Sequence, residues 1–228
     1  MRNILIMVFL SVAIISGSSI YALAYTTPIY YPNYEVWLDK TNGILDTLYG
    51  LNNVQRIEDN YDQVWYNPNG HARAEAKYAG YTQNFGYING DTNTFTALFN
   101  VTANGYLNGD PNAPMTHYFT GYYFRFADDP SGSPLWSSLQ SENSGGNNDH
   151  MVTWKIIGNV GKPAYADNVI GNYVIAWEDL NLGDADYNDL VVEVHGVSPT
   201  TPTPEPATLS LLGLGLLGLF GFRKRKIA

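Results

Sequence analysis

The sequence predicts an all-β fold, an antiparallel β-sandwich with the jelly roll among its variants and one short helix. Three observations carry this. Runs of β-branched and aromatic residues recur along the chain and alternate in character, as where Tyr122, Phe124 and Phe126 interleave with Tyr123 and Arg125. Turn signals separate those runs, at Asn67-Pro-Asn-Gly70, Asn89-Gly-Asp91, Asn104-Gly105 and Asn108-Gly-Asp110. Finally, the chain has 0 cysteines, so no disulfide framework, thiol nucleophile, cysteine zinc site or lipoprotein anchor is available, and packing must hold the fold.

Taken in order, Met1-Arg2-Asn3 precedes an apolar run from Ile4 to Ile15, and Ala22-Leu-Ala24 supplies the small-x-small pattern read by signal peptidase. Residues 1–24 therefore read as a secretory signal peptide, too short in its apolar part for a membrane anchor. The β-rich domain is expected over 25–197. From Tyr25 to Trp37, Pro28 and Pro32 interrupt aromatic residues, which suits an edge strand or an extended lead-in. After Asn42-Gly43 the spacing of Ile44, Leu45, Leu48 and Tyr49, closed by Gly50, predicts a short helix.

Glu58-Asp59-Asn60-Tyr-Asp62 is an acidic cluster without alternating ligand spacing, and reads as a solvated loop in preference to a second ion site. Strands are expected over Val64-Trp65-Tyr66, from Ala72 through Ile88, from Phe95 to Val101, from Tyr118 to Phe126 and from Met151 to Ile157. The Ser-, Gly- and Asn-rich stretch from Asp128 to Asn148, around Leu135-Trp136, reads as a long surface loop. The abundant tyrosine and tryptophan suit sheet-face and core packing before a sugar-stacking platform.

The most informative stretch is Gly171 to Val194. Tyr173, Val174, Ile175 and Trp177 form one strand-like arm, Leu190, Val191, Val192 and Val194 the other, and oxygen-bearing side chains crowd the loop between them. Asp184, Asp186 and Asn188 alternate with Ala185 and Tyr187, so an extended backbone would send their oxygens to one side, with Gly183 easing the turn. Hard cations take such ligands, calcium before the stricter magnesium or the nitrogen- and sulfur-seeking zinc, and Glu178, Asp179 and Asp189 add charge. The spacing copies the start of an EF-hand loop but not its remainder: Asp189 stands where the glycine belongs, His195 where the bidentate glutamate belongs, and the flanks are strands. The loop is either a site for one calcium ion or a solvated acidic turn. Asp149 stands apart in sequence, and its reach to this loop depends on packing.

Trp177-Glu-Asp-Leu followed by Gly183-Asp-Ala-Asp-Tyr-Asn-Asp-Leu-Val-Val-Glu-Val194 resembles the signature of a bacterial domain of unknown function, DUF 4114-like, found in secreted proteins with a PEP-CTERM tail. The resemblance implies a β-rich, calcium-binding domain with ligands Glu178, Asp179, Asp184, Asp186, Asn188 and Asp189. Residues 198–203 read as a Pro/Thr linker. Over 204–228, Pro204-Glu205-Pro206, an apolar run from Ala207 to Phe222 and the basic end Arg223, Lys224, Arg225 and Lys226 resemble the PEP-CTERM sorting signal recognised by exosortases of Gram-negative bacteria. The apolar run is just short of the usual spanning length, and its cations would stay at the cytoplasmic end, which by itself describes a plain membrane anchor; the resemblance implies instead that it resides in the inner membrane transiently during export.

With Arg2 and the tail cations set aside, 7 of the 12 basic residues face 20 of the 21 acids, a balance of −13. Such a surface disfavours nucleic acid and suits cations and neutral glycans. No serine sits in a nucleophile elbow, and His71, His117, His150 and His195 lack metal spacing, so the chain is not expected to be an enzyme. The leading expectation is an exported cell-surface or extracellular-matrix protein associated with exopolysaccharide or biofilm and stabilised by calcium. A calcium-dependent carbohydrate-binding module is the alternative, ahead of a glycan-active hydrolase, for which the paired carboxylates would be the raw material.

Overall fold

A computed structural model describes residues 26–107, 115–144, 148–159, 168–180 and 182–200. The signal peptide, the turn at 108–110, the end of the linker and the whole tail lie outside them. The strands are β1 (Val54–Arg56), β2 (Val64–Lys77), β3 (Gln83–Asn89), β4 (Phe95–Val101), β5 (Gly105–Tyr106), β6 (Met115–Asp128), β7 (Trp136–Ser137), β8 (Met151–Ile156), β9 (Tyr173–Trp177), β10 (Leu190–His195) and β11 (Ser198–Thr200). Each pairing is antiparallel, in the spatial order β1-β8-β9-β10-β2-β6-β3-β4.

The long strands β2 and β6 make this ladder a sandwich. The β2–β6 register shifts between Trp65 and Asn67, Asn67 and Gly70, and Gly70 and Ala72. Such irregularities bend and twist a strand pair, and the two antiparallel layers close over one core. Trp65 touches both: its ring lies 5.2 Å from Phe126 and 5.4 Å from Tyr173. Around it pack Phe85, Phe119 and Phe124 from one layer and Ile175, Trp177, Val192 and Val194 from the other.

Strand β9 is buried along its whole length because both its faces are covered. Tyr173, Ile175 and Trp177 enter the inter-layer core, while Val174 and Ala176 face a second cluster with Leu38, Ile44, Leu45 and Leu48. The last three belong to α1 (Ile44–Leu48), the expected helix. Its free N–H groups are met by a preceding turn, with Ile44 N donating to Trp37 O at 2.8 Å and Leu45 N to Leu38 O at 2.9 Å. Gly50, at φ 76°, donates to Leu45 O and turns the chain away. A helix this short holds through packing, each buried leucine or isoleucine contributing about 1.5–3 kcal/mol.

Four local expectations are corrected. Asn67 to Gly70 is not a turn: β2 runs through it, with the irregularity absorbed as bulges, and Asn67 donates through Nδ2 to Phe119 O at 2.9 Å. The stretch from Asp128 to Asn148 is not simply a surface loop, because it holds β7 and a 3-10 turn at Gln140–Glu142 and buries Trp136, Ser138 and Asn143. Ser198–Thr200 does not behave as linker but returns to pair with Val64–Tyr66 of β2. Gly196 makes that return possible at φ 71°, where a side-chain carbon would fall 2.3 Å from Asn69 O. Asp59 and Asp62, expected in solvent, are buried. The lead-in before Trp37 joins no strand, turns at Asn33–Tyr34, and is tied by Tyr30 N to Ala185 O at 2.9 Å.

Candidate metal centre

The two arms around the acidic loop do pair, Trp177 opposite Leu190 and Tyr173 opposite Val194. The β9–β10 connection therefore leaves and re-enters neighbouring strands and has to fold its oxygens together within a short span. It does so by winding rather than by extending. Leu182, Ala185 and Tyr187 have φ of 53°, 51° and 58°, left-handed values that cost a non-glycine residue about 1–2 kcal/mol. The extended backbone expected for Asp184 to Asn188 is thus corrected: the alternation brings these residues together through turns.

The expected ligands fall into two groups rather than one. Glu178, Asp179 and Asp189 place a carboxylate oxygen each within 4.8 Å of one another. Asp184 and Asp186 do the same with Glu35, from the lead-in. Calcium–oxygen bonds of about 2.3–2.6 Å leave ligands around one ion at most about 5 Å apart, so each group has the dimensions of a calcium site.

In the first group Asp189 Oδ2 accepts from Asp179 N at 2.7 Å, and Glu178 accepts from Asp186 N at 3.2 Å and Leu180 N at 3.4 Å. Gln83, at the start of β3, donates through Nε2 to Asp179 Oδ2 at 2.6 Å. The Asp179 carbonyl accepts from Trp136 Nε1 at 2.9 Å and Ser133 Oγ at 2.6 Å, while the Trp136 ring stacks on His150 at 3.6 Å. In the second group Asn188 donates through Nδ2 to Asp186 Oδ2 at 2.7 Å, Val36 O at 3.0 Å and Glu35 Oε2 at 3.3 Å.

These carboxylates are short of positive charge. Burial, reinforced by Asp184, pushes Glu178 up to about 8, and burial with the adjoining Glu35 pushes Asp186 to about 8. Burial and the charges of Asp179 and Glu178 carry Asp189 to about 10. Lys77 is the nearby ammonium, its own pKa lowered by burial, and it is bonded to Ala79 O at 2.8 Å and Asn104 Oδ1 at 2.7 Å. Without a cation the groups can relieve repulsion by holding protons. The two groups offer carboxylate oxygen throughout, which suits a hard ion such as calcium.

Asp149 reaches this loop through its backbone, whose carbonyl accepts from the buried Tyr187 hydroxyl at 2.6 Å. Its carboxylate belongs instead with Asp59 and Asp62. Thr27 joins them, its N–H donating to Asp59 and its hydroxyl to Asp149 at 2.7 Å, and Arg56 pairs with Asp59 at 3.0 Å. Burial and Asp59 push Asp149 to about 8, and burial and Asp149 push Asp62 well above the carboxylate range. Sequence reasoning missed Glu35 and Gln83. Each is an isolated polar residue in a stretch without ligand spacing, and only packing brings it to the loop.

Residues 202–226 match the PEP-CTERM protein-sorting motif. The PEP-CTERM match contains Pro204, Glu205, Pro206 and the basic residues Arg223 to Lys226. The motif marks a protein exported through the inner membrane, processed by exosortase and delivered to the surface. Among curated proteins, none matches the chain.

Proposed function

We propose that this exosortase-sorted protein is a non-enzymatic component of the cell surface or extracellular matrix of a Gram-negative bacterium, with a β domain stabilised by calcium. The observation that carries the calcium reading is the pair of carboxylate groups at the β9–β10 connection, each compact enough for one ion, with three carboxylates in the inner group against the one ammonium of Lys77 among the described residues. The resemblance of Trp177 to Val194 to the DUF 4114-like signature supports the same ion. Bound there, calcium would be held by Glu178, Asp179, Asp184, Asp186, Asn188 and Asp189, and would fix a loop wound through three left-handed residues. The acidic domain and the sorting tail fit a place in an exopolysaccharide or biofilm matrix. A melt in calcium and in chelator tests the reading; equal midpoints would refute it.

One observation favours a calcium-dependent carbohydrate-binding module as the second reading. Tyr30 and Tyr34 are 63% and 77% exposed beside the loop, Tyr30 through its bond to Ala185 and Tyr34 through its neighbour Glu35. Exposed tyrosine next to a cation is a surface on which a sugar ring can stack. Retention on a glycan array that disappears with chelator distinguishes this module from the matrix component.

A further inference from the structure

We infer that the β9–β10 loop takes two cations rather than one, and that each is completed by an oxygen ligand from a distant part of the chain: Glu35 for the outer site and Gln83 for the inner. This rests on the calcium reading above and goes beyond it in number, ligands and consequence.

The first ground is geometric. The acids divide into Glu35, Asp184 and Asp186 on one side and Glu178, Asp179 and Asp189 on the other, with mutual proximity inside each group. One ion cannot draw in both sets without rebuilding a loop that hydrogen bonds already fix, among them Asp186 N to Glu178 Oε2 and Asp179 N to Asp189 Oδ2.

The second ground is independent of the acids. Each group touches a buried amide whose oxygen has no hydrogen-bond partner. Asn188 is 1% exposed; its Nδ2 lies on Asp186 and Glu35, and its Oδ1 is unpartnered. Gln83 is 0% exposed; its Nε2 lies on Asp179, and its Oε1 is unpartnered. A buried acceptor left without a donor is costly, and an amide oxygen is an ordinary calcium ligand. The ends of an amide have nearly the same shape, so turning it end for end sets the oxygen among the carboxylates, where an ion takes the place of the N–H donor they and the Val36 carbonyl lose, and leaves the NH2 where the oxygen lay.

The consequence is mechanical. Glu35 belongs to the lead-in, so the outer ion would latch that segment to the loop, adding to the bond between Tyr30 and Ala185. Gln83 begins β3, in the layer opposite β9 and β10, so the inner ion would fasten the two layers at their rim, beside the bonds that Trp136 and Ser133 make to Asp179. Lys77 supplies one positive charge near the inner group, against the three carboxylates there.

Calcium bound per chain, measured by equilibrium dialysis of the full chain in detergent, tests this. Two ions are expected for the wild type, and one for either Glu35→Ala or Gln83→Leu. One ion in the wild type would overturn the two-site inference and leave the calcium reading standing, whereas no bound calcium would overturn both. Two ions still bound by Glu35→Ala would remove Glu35 from the site, and two still bound by Gln83→Leu would remove Gln83. Since a variant that misfolds also loses ions, chymotrypsin cleavage of the wild type supplies a second measure: calcium should suppress cutting at Tyr30 to Tyr34, and equal cutting in calcium and chelator would overturn the latch.

Discussion

Substituting Asp184→Ala together with Asp186→Ala removes two of the three carboxylates of the outer group. At a separation of 4.8 Å, two full negative charges repel by about 3 kcal/mol at an effective dielectric constant of about 20. The outer group of the wild type therefore depends on a cation or on protons, and what remains of it in the variant does not, while the inner group is the same in both. An ion bound only by the folded state adds about 2.7 kcal/mol at a hundredfold excess over its dissociation constant. For a domain of this size each kcal/mol moves the melting midpoint by about 2–4 °C, so one ion is expected to raise it by about 5–11 °C. In differential scanning calorimetry the wild type should show at least this shift between chelator and calcium, and magnesium should reproduce it poorly. The double variant should stay folded in chelator, with a midpoint equal to or above that of the wild type under the same conditions, and should lose the outer-site part of the calcium shift. A double variant that keeps the whole shift would refute the assignment of Asp184 and Asp186 as ligands.

The pH dependence in chelator should be unusual for a protein rich in carboxylates. Glu178 and Asp186, at about 8, and Asp189, at about 10, lie above their ordinary values of 4.5 and 3.8, so their stabilising protons are fully held below those ordinary values and lost as pH rises through 8 to 10. His150 opposes this on the acid side: lowered by burial to about 4 from 6.5, it costs stability as pH falls between those values. Melting midpoints in chelator should therefore fall from about pH 6.5 towards pH 9, and calcium should flatten that fall; a midpoint rising over the same range would contradict the cause assigned to these shifts. At pH 7 calcium uptake should release protons, seen in calorimetry as a binding heat that depends on the buffer. Trp136→Ala should cost about 3–5 kcal/mol in urea unfolding, because it removes a buried indole from the His150 ring and from the Asp179 carbonyl. Intact mass of surface-released protein should show the tail removed near Pro204-Glu205-Pro206, and a mass that still includes Leu211 to Lys226 would indicate a retained anchor instead.

The sequence by itself determined what is encoded locally. β-Branched and aromatic runs bounded by turn residues marked β4 and the β9–β10 hairpin because strand preference is written into consecutive side chains. Helical spacing marked α1 for the same reason, and the sorting tail is a linear signal that needs no fold to be read. The local rules failed where a partner overrode them. Asn67-Pro-Asn-Gly70 is built of turn-forming residues, yet β6, pairing Asn67 with Gly121 and Gly70 with Phe119, holds it as bulged strand. Trp136 sits in a run of loop-forming residues, yet the His150 ring and the Asp179 carbonyl draw it inside. The candidate site divides in the same way. Its acids within the loop are legible because they lie within a dozen positions, but Asn188 meets Glu35 across 153 positions and Asp179 meets Gln83 across 96. No periodicity spans such distances. Only closure of the two layers and docking of the lead-in bring Gln83 and Glu35 to the loop, and so only the tertiary structure decided that the acids there form two groups instead of one.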